Sequence, residues 1–259
     1  MLSLSSRLAA ARLSGKLVDV EPAEGPENLN AAYAIQKEVT DLLSPISNSW
    51  KVGSTSLEAQ KKLGTTEPGA ARIPNQFRFN NNATIPVFAS HDLWVESEFA
   101  VRLGVDLPPR DFPYVYTEII SAINGIAPAL EFVGSRLRGG IAKSGRFNAT
   151  ADGGANVALC IGDVTADWEH IDLPNQRANL YVNDQEMASG LGSNALGSPI
   201  NVMVWIANHL RLSTGIKAGE IVSTGTCTGL IRVAVGDQIT ANFGAIGKIS
   251  AQLINANDT

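Results

Sequence analysis

The sequence predicts an α+β fold in which a helical N-terminal layer covers a β-rich core. The first third of the 259-residue chain has helical patterns, whereas short runs of β-type composition follow from about residue 85 onward. Gly, Asp and Asn separate these runs, which is typical of strands joined by turns. We therefore predict an N-terminal helical part over residues 1–80 and a β-rich core over residues 81–259, which together form one functional unit.

Three helices are predicted in the N-terminal part. The first covers residues 1–15 and ends at Gly15, because glycine is the usual residue after a helix C-terminus. Asn30 is expected to cap the second helix, over residues 31–43, whose apolar residues form a one-sided stripe. The third helix covers residues 57–64 and ends on its glycine.

The predicted core consists of short strands with two helical interruptions, at residues 116–126 and 199–213. A turn-rich connection with several Pro, Gly and Asn residues precedes the first strand. The predicted strand regions are 84–89, 93–103, 155–163, 178–184, 220–226, 230–235 and 237–254.

Residues 1–18 also have the composition of a targeting segment. They contain Arg7, Arg12 and Lys16 and no acidic residue, as an amphipathic transit peptide does. An ordinary first helix explains the same residues, and we favour that interpretation. We therefore predict a cytoplasmic protein, with import into an organelle as the alternative.

Charge and composition exclude several classes of function. Twenty basic and 25 acidic residues give a net charge of −5, which argues against a nucleic-acid-binding surface. The longest apolar runs, such as residues 202–207, are far too short to span a membrane. Two cysteines are too few for a disulfide scaffold or a Cys-based zinc site. We expect a small-molecule partner, with no nucleic acid and no membrane.

A Glu-x-Glu pair is the most informative feature of the sequence. Side chains two residues apart on a strand share one face, so Glu96 and Glu98 point the same way among apolar neighbours. A third acid, Glu131, lies in another apolar stretch. Three carboxylates without nearby Cys or His favour Mg²⁺ or Mn²⁺. The alternative is a solvated strand face for the pair and an ion pair between Glu131 and Arg136.

The sequence resembles the 2-hydroxypenta-2,4-dienoate hydratase and 4-oxalocrotonate decarboxylase family of the fumarylacetoacetate hydrolase superfamily. The resemblance runs over about residues 5–255 and depends on the shared order and spacing of short motifs. The motifs are AAYAIQ (31–36), WKVGSTS (50–56), LGTTEP (63–68), VESEFAVRL (95–103), PALEFVGSR (128–136), ADG (151–153), SGLGSNALGSP (189–199) and AGEIVSTG (218–225).

The resemblance implies a β-rich mixed roll, usually oligomeric, with a divalent metal. Glu96 and Glu98 fall on the Glu-x-Glu metal ligands of the family, and Glu131 falls on its third carboxylate ligand. Lys51 falls on the lysine that reaches the substrate beside the metal. We therefore expect a homo-oligomer that uses Mg²⁺ or Mn²⁺, with Lys51 as a catalytic residue.

Three further residues are predicted to contact the substrate. The resemblance places Ser56 and Asp152 at pocket-side positions. The family commonly has an Asp, proposed to transfer a proton, where this chain has Gly69. A glycine there leaves an opening, and Arg72 follows three residues later, so we expect Arg72 to hold a bulkier or anionic distal end of the substrate.

The resemblance implies a lyase acting on a small unsaturated 2-oxo or 2-hydroxy acid, in the catabolism of aromatic compounds. A metal-stabilised enolate allows either addition of water to the conjugated double bond or loss of CO₂. We predict a hydratase similar to 2-keto-4-pentenoate hydratase. The alternatives are a 2-oxo-3-enedioate decarboxylase and a non-catalytic metal-binding partner subunit of the same fold.

Overall fold

The computed structural model describes residues 2–44 and 46–258. The predicted α+β class is confirmed, with a curled sheet and N-terminal helices. The helices are α1 (Leu4–Ser14), α2 (Leu29–Leu43), α3 (Leu57–Leu63), α4 (Tyr116–Ala122), α5 (Gly140–Ala151) and α6 (Pro199–Leu210). The strands are β1 (Ser49–Gly53), β2 (Gly69–Ile73), β3 (Arg78–Asn80), β4 (Ala83–Val87), β5 (Trp94–Leu103), β6 (Ile123–Val133), β7 (Asn156–Ile161), β8 (Arg177–Val182), β9 (Gln185–Leu191), β10 (Ile221–Thr226), β11 (Ile231–Arg232), β12 (Gln238–Asn242) and β13 (Lys248–Asn255).

The strands form two sheets with an apolar core between them. The larger sheet has the order β2-β1-β10-β5-β6-β7-β3, and the short strand β11 pairs with β5. The smaller sheet has the order β4-β13-β12-β8-β9. The rings of Phe99 and Phe243, one from each side of this core, meet edge to face at 5.1 Å.

Alternation along β5 decides which of its residues face the core between the sheets. Val95 and Phe99 are fully buried in that core. Because successive side chains of a strand point to opposite faces, Glu96 and Glu98 lie on the other face of the same strand. On that face, the residues of β5 and β6 beside the glutamates have small side chains, which leaves room for polar groups. They are Ala100, Ala127 and Ala129.

The N-terminal helices largely agree with the sequence predictions. Helix α1 ends at Gly15, which has a φ of 70°, and α3 ends at Gly64 in the same left-handed conformation, so both predicted ends are confirmed. The predicted cap of α2 is wrong. The helix begins at Leu29, and the side chain of Asn28, not that of Asn30, accepts the N–H of Ala31.

Helix α1 is an integral part of the fold, so its interpretation as an ordinary first helix is confirmed. Arg7 forms an ion pair with Glu24 at 2.8 Å, and Arg12 is buried with only 7% of its surface exposed. In the part of the chain that is described, none of the helices has the length and apolarity needed to cross a lipid bilayer.

Residues 1–80 contribute more than helices to the molecule. Strands β1, β2 and β3 lie in this part and belong to the larger sheet, so the description of these residues as helical is incomplete. Short strands rich in Gly, Ala and polar residues lack the alternating pattern by which strands are predicted. The division at residue 80 as a domain boundary stays a prediction.

Two errors concern the helices of the core. The helical pattern predicted over 116–126 ends at Ala122, and β6 starts at the next residue. Helix α5 was not predicted, because glycine is frequent in its sequence and a kink with φ 67° occurs inside it at Gly145. The predicted strand regions also omit β6 and β9, and the region predicted over 237–254 contains two strands, β12 and β13.

Candidate metal centre

Pairing of β5 with β6 brings the three predicted metal-ligating carboxylates together. The register of these antiparallel strands places Glu96 directly opposite Glu131, and Glu98 opposite Ala129. One oxygen from each of Glu96, Glu98 and Glu131 lies within 4.8 Å of the others. We call these three residues the acidic cluster.

Glu98 is held by the neighbouring strand β10. Its Oε2 accepts hydrogen bonds from the Ser223 hydroxyl at 2.6 Å and from the Gly225 backbone N–H at 2.9 Å. Gly225 has a φ of 91°, and a Cβ at this position would collide with Thr55, so only glycine fits. The other oxygen of Glu98, Oε1, is buried without a hydrogen-bond partner.

Glu131 is fixed in the same manner. Its Oε1 accepts a hydrogen bond from the Asn156 amide at 2.9 Å and lies 3.4 Å from Nζ of Lys51, whereas its Oε2 is buried without a partner. Lys51 also donates to the carbonyl oxygen of Gly154 at 2.6 Å. A Cβ on Gly154 would lie 2.6 Å from Cε of Lys51, so a larger residue would displace the lysine.

The electrostatics of the acidic cluster show uncompensated negative charge. Burial raises the pKa of Glu96 to about 7, with a further increase from the charge of Glu131 and an opposing effect of Lys51. Burial, followed by the charges of Glu131 and Glu96, raises the pKa of Glu98 well above its usual value. One ammonium therefore does not compensate for three carboxylates.

The donor set fits a hard divalent cation. Two carboxylates each have one oxygen bound to the protein and one buried oxygen without a partner, and leaving such an atom unpaired has a free-energy cost. A cation within reach of all three carboxylates removes this cost and the mutual repulsion. Oxygen-only ligation is the chemistry of Mg²⁺, Ca²⁺ and Mn²⁺.

The structure does not support the alternative interpretation of the three acids. Glu98 is 1% exposed and Glu96 is half-buried, so this pair does not lie on an open, solvated strand face. Arg136 forms its ion pair with Asp152, with Nε 2.7 Å from Oδ1, and the ion pair of Glu131 is with Lys51.

Two predicted substrate contacts make bonds within the protein. The Ser56 hydroxyl is the N-cap of α3 and accepts the N–H of Ala59 at 3.1 Å. Asp152 is buried in its ion pair with Arg136, and its Oδ2 also accepts the Arg136 backbone N–H at 3.0 Å. Neither side chain is brought into the acidic cluster, so their roles as substrate contacts stay predictions without support from the geometry.

Arg72 lies on the opposite face of the sheet from Lys51. It pairs with Trp50 across β1 and β2, whereas Lys51 pairs with Ala71. The Arg72 guanidinium stacks 4.2 Å from the Trp50 ring and bonds Glu220 at 2.9 Å. These residues line a separate cleft of about 740 Å³. The structure therefore does not bring Arg72 to the acidic cluster.

Gly69 does share the face of Lys51. It lies opposite Gly53 in the β1–β2 register, and a Cβ on Gly53 would be 3.2 Å from Nζ of Lys51. The nearest atom to a Cβ on Gly69 is the hydroxyl oxygen of Tyr33, at 3.7 Å. The predicted opening at Gly69 is therefore present, although Arg72 points away from it.

Several residues that hold the acidic cluster were not predicted. No motif in the sequence marks them as part of a site, because a Ser, an Asn and two glycines also occur at ordinary strand ends and turns. Two of the motifs that carry the family resemblance, at 151–153 and 218–225, adjoin or contain them and are the only sequence signal that could have located them. They are Gly154, Asn156, Ser223 and Gly225.

The fold and the acidic cluster define a class of protein. The sequence model described as "Fumarylacetoacetate (FAA) hydrolase C-terminal" matches residues 57–254, which is most of the chain. The chain belongs to the fumarylacetoacetate hydrolase family.

Among characterised proteins, the chain is similar to hydratases. It is 28% identical to a 2-keto-4-pentenoate hydratase of Paraburkholderia xenovorans over 229 residues, covering 87% of this chain and 84% of that protein. It is 28% identical to a protein of the same name from Burkholderia vietnamiensis over 257 residues, covering 96% and 95%.

Solved structures of the same fold include metal complexes. A 4-oxalocrotonate decarboxylase from Pseudomonas putida, complexed with magnesium and adipate, superposes with a TM-score of 0.88 at 23% identity, covering 97% of this chain and 96% of that one. A fumarylpyruvate hydrolase from Pseudomonas aeruginosa, in complex with Mn²⁺ and pyruvate, gives 0.61 at 14% identity, covering 80% and 89%. At these identities the similarity shows the fold alone.

Proposed function

We propose that this protein is a divalent-metal-dependent lyase that adds water to an unsaturated 2-oxo acid, as a 2-keto-4-pentenoate hydratase does. The observation that carries the proposal is the acidic cluster, with two buried carboxylate oxygens that lack a protein partner. The names of the relatives aligned over nearly their whole lengths support the same chemistry.

In this proposal Glu96, Glu98 and Glu131 hold Mg²⁺ or Mn²⁺. A divalent cation in such a site supplies stabilisation of the negative charge that a 2-oxo acid develops on its keto oxygen. The protein residues around the cluster fix the carboxylates before substrate arrives. Ser223 and Gly225 hold one oxygen of Glu98, and this preorganisation lowers the reorganisation needed during the reaction.

Lys51 is proposed to contact the substrate directly. Its ammonium has three N–H donors; among the described residues it donates a hydrogen bond to Gly154 and forms an ion pair with Glu131 at 3.4 Å. A further N–H donor is available for the carboxylate or the developing enolate oxygen of a 2-oxo acid. A fixed positive charge in this buried position stabilises that oxygen more strongly than it would in water.

Decarboxylation of a 2-oxo-3-enedioate is the second candidate reaction. Gly69 favours it, because the face beside Lys51 has no acid–base side chain at the position where the family pattern has an Asp. Loss of CO₂ generates the enolate without removal of a proton by the protein, so this reaction needs one proton transfer fewer.

The proposal is tested with a panel of 2-oxo acids in the presence of Mg²⁺ or Mn²⁺. Loss of conjugated absorbance without CO₂ release supports the hydratase, and CO₂ release supports the decarboxylase. Exchange of C3 protons of a saturated 2-oxo acid in D₂O detects enolate formation independently of both. A protein that binds the metal and the acid but catalyses no exchange, no loss of conjugated absorbance and no CO₂ release is the non-catalytic subunit, and the proposed lyase activity is then wrong.

A further inference from the structure

A chain of hydrogen bonds joins the N-terminal helix to the acidic cluster. Nη2 of Arg12, in α1, donates to Oδ1 of Asn156 at 2.8 Å, and Nδ2 of Asn156 donates to Oε1 of Glu131 at 2.9 Å. Arg12 and Asn156 are buried, with 7% and 1% of their surfaces exposed. Arg12 and Asn156 are 144 positions apart in the sequence.

Arg12 is unusual among the buried charges of this region. Arg136 has Asp152 as its carboxylate partner, and Lys51 has Glu131. Arg12 instead bonds the Asn156 amide and the carbonyl oxygen of Val157, at 2.8 and 3.2 Å, and stacks 4.0 Å from the ring of Phe77. Burial, together with the charge of Arg136, lowers the pKa of Arg12 to about 9. Burial of this guanidinium has a free-energy cost, so we expect Arg12 to have a role that compensates for it.

The chemistry of the two groups decides which way the Asn156 amide points. A guanidinium has only donors, so the atom of Asn156 that faces Arg12 must be the amide oxygen. The amide NH₂ is thereby turned toward Glu131, where it donates to a carboxylate. In the reverse orientation, the amide oxygen would face Oε1 of Glu131 and repel it.

We infer that Arg12 is a positioning residue for the metal ligand Glu131, acting through the orientation of the Asn156 amide. The inference rests on the proposed metal site and deepens it. Asn156 and Lys51 together occupy Oε1 of Glu131, so that Oε2 remains for the cation. Residues that orient a metal ligand in this way typically change metal affinity by about 10- to 100-fold when mutated.

The test measures Mn²⁺ affinity of the full-length protein by calorimetry, alongside thermal unfolding in EDTA. Arg12→Met and Arg12→Gln are expected to weaken Mn²⁺ binding by about tenfold or more. Arg12→Gln is included because the Gln amide oxygen can accept a hydrogen bond from the NH₂ of Asn156. This contact permits the reversed orientation of the Asn156 amide. Arg12→Lys keeps a donor-only group and is expected to bind Mn²⁺ within about threefold of wild type.

A matched control lies on the same helix. Arg7 is half-buried and forms an ion pair with Glu24, with no bond to Asn156, so Arg7→Met is expected to leave Mn²⁺ affinity unchanged whatever it does to stability. In an Asn156→Ser background the link is broken, so Arg12→Met is expected to cause no further loss of Mn²⁺ affinity.

Several results would overturn the inference. The first is an undiminished Mn²⁺ affinity in Arg12→Gln and Asn156→Ser. The second is an equal loss of Mn²⁺ affinity in Arg12→Lys and Arg12→Gln. The third is an additive loss of Mn²⁺ affinity in the variant that combines Arg12→Met with Asn156→Ser. If Arg12→Met does not fold, the comparison of Arg12→Lys with Arg12→Gln decides alone. Absence of Mn²⁺ binding in the wild type would refute the proposed metal site as well, whereas normal binding in all variants refutes the role of Arg12 only.

Discussion

Two buried groups of charges both bond to Asn156, and they are satisfied in different ways. Arg136 and Asp152 form a closed pair, in which the carboxylate accepts both a guanidinium and a backbone N–H. In the acidic cluster, residues 2–44 and 46–258 supply one ammonium, that of Lys51, for three carboxylates, and they leave two carboxylate oxygens without a partner. The difference separates a group that stabilises the fold from one that requires a further ligand.

The comparison also bears on Asp152, one of the predicted site residues. Asp152 was expected at the substrate pocket from the family resemblance, whereas its partners account for both of its oxygens. A buried acid is a candidate for binding a ligand when its protein partners leave an oxygen unpaired. The two groups should therefore respond in opposite ways when a carboxylate is converted to its amide.

The largest expected effect is on the acidic cluster. Glu98→Gln, or removal of metal with EDTA, should abolish turnover, because the cation loses a ligand or is absent. The metal-free variant should unfold at a higher temperature than the metal-free wild type, because one buried repelling charge is gone. Activity assays and thermal unfolding measure the two effects.

Glu118→Gln provides the control, since Glu118 is an ion-paired acid outside the acidic cluster. Full turnover by exhaustively chelated protein would refute the metal requirement. Wild-type protein should also gain about 2.7 kcal/mol at a Mg²⁺ concentration 100 times the dissociation constant.

The closed pair should show the reverse behaviour. Asp152→Asn leaves the buried Arg136 guanidinium without a carboxylate and should lower the free energy of unfolding by about 3–5 kcal/mol. Denaturant unfolding measures this change, and calorimetry should find Mn²⁺ affinity little altered in the folded fraction. A variant with normal stability but impaired substrate binding would restore Asp152 as a pocket residue.

Lys51→Ala tests the single ammonium of the acidic cluster. If it contacts the developing enolate, kcat should fall by a factor of about 10² or more, while metal affinity changes little. Steady-state kinetics and calorimetry measure both, with the exposed Lys37→Ala as control. A rise in KM with kcat unchanged would make Lys51 an anchor for the substrate carboxylate instead.

The smallest expected effect is a dependence of stability on pH that metal removes. The pKa of Glu96 rises from 4.5 to about 7 on folding, so the folded metal-free protein holds more protons than the unfolded chain between these values. Its stability should therefore decrease as the pH rises through that range. Saturating Mg²⁺ should flatten or reverse the slope, and an identical slope with and without metal would contradict a cation bound by Glu96.

The sequence, together with its family resemblance, predicted the members of the acidic cluster but not its surroundings. Glu96 and Glu98 could be placed on one face from strand alternation alone. Their encounter with Glu131 depends on the β5–β6 register, which no local pattern encodes. The sheet face on which Arg72 lies was not predicted for a related reason. Strands β1 and β2 are short and rich in small and polar residues, so their sequences show no clear alternation of apolar and polar residues.

The site is assembled from five neighbouring strands, β1, β10, β5, β6 and β7, whose contributing residues extend from Lys51 to Gly225. Most of its contacts are therefore remote in sequence, and such pairings form slowly because long loops must close first. All three carboxylates lie on β5 and β6, but the residues that hold them come from β1, β7 and β10, so the fixed cluster is complete only when all five strands have assembled. Metal binding should consequently slow unfolding and leave the rate of folding almost unchanged. The cation therefore stabilises the native protein kinetically but has little part in the folding reaction.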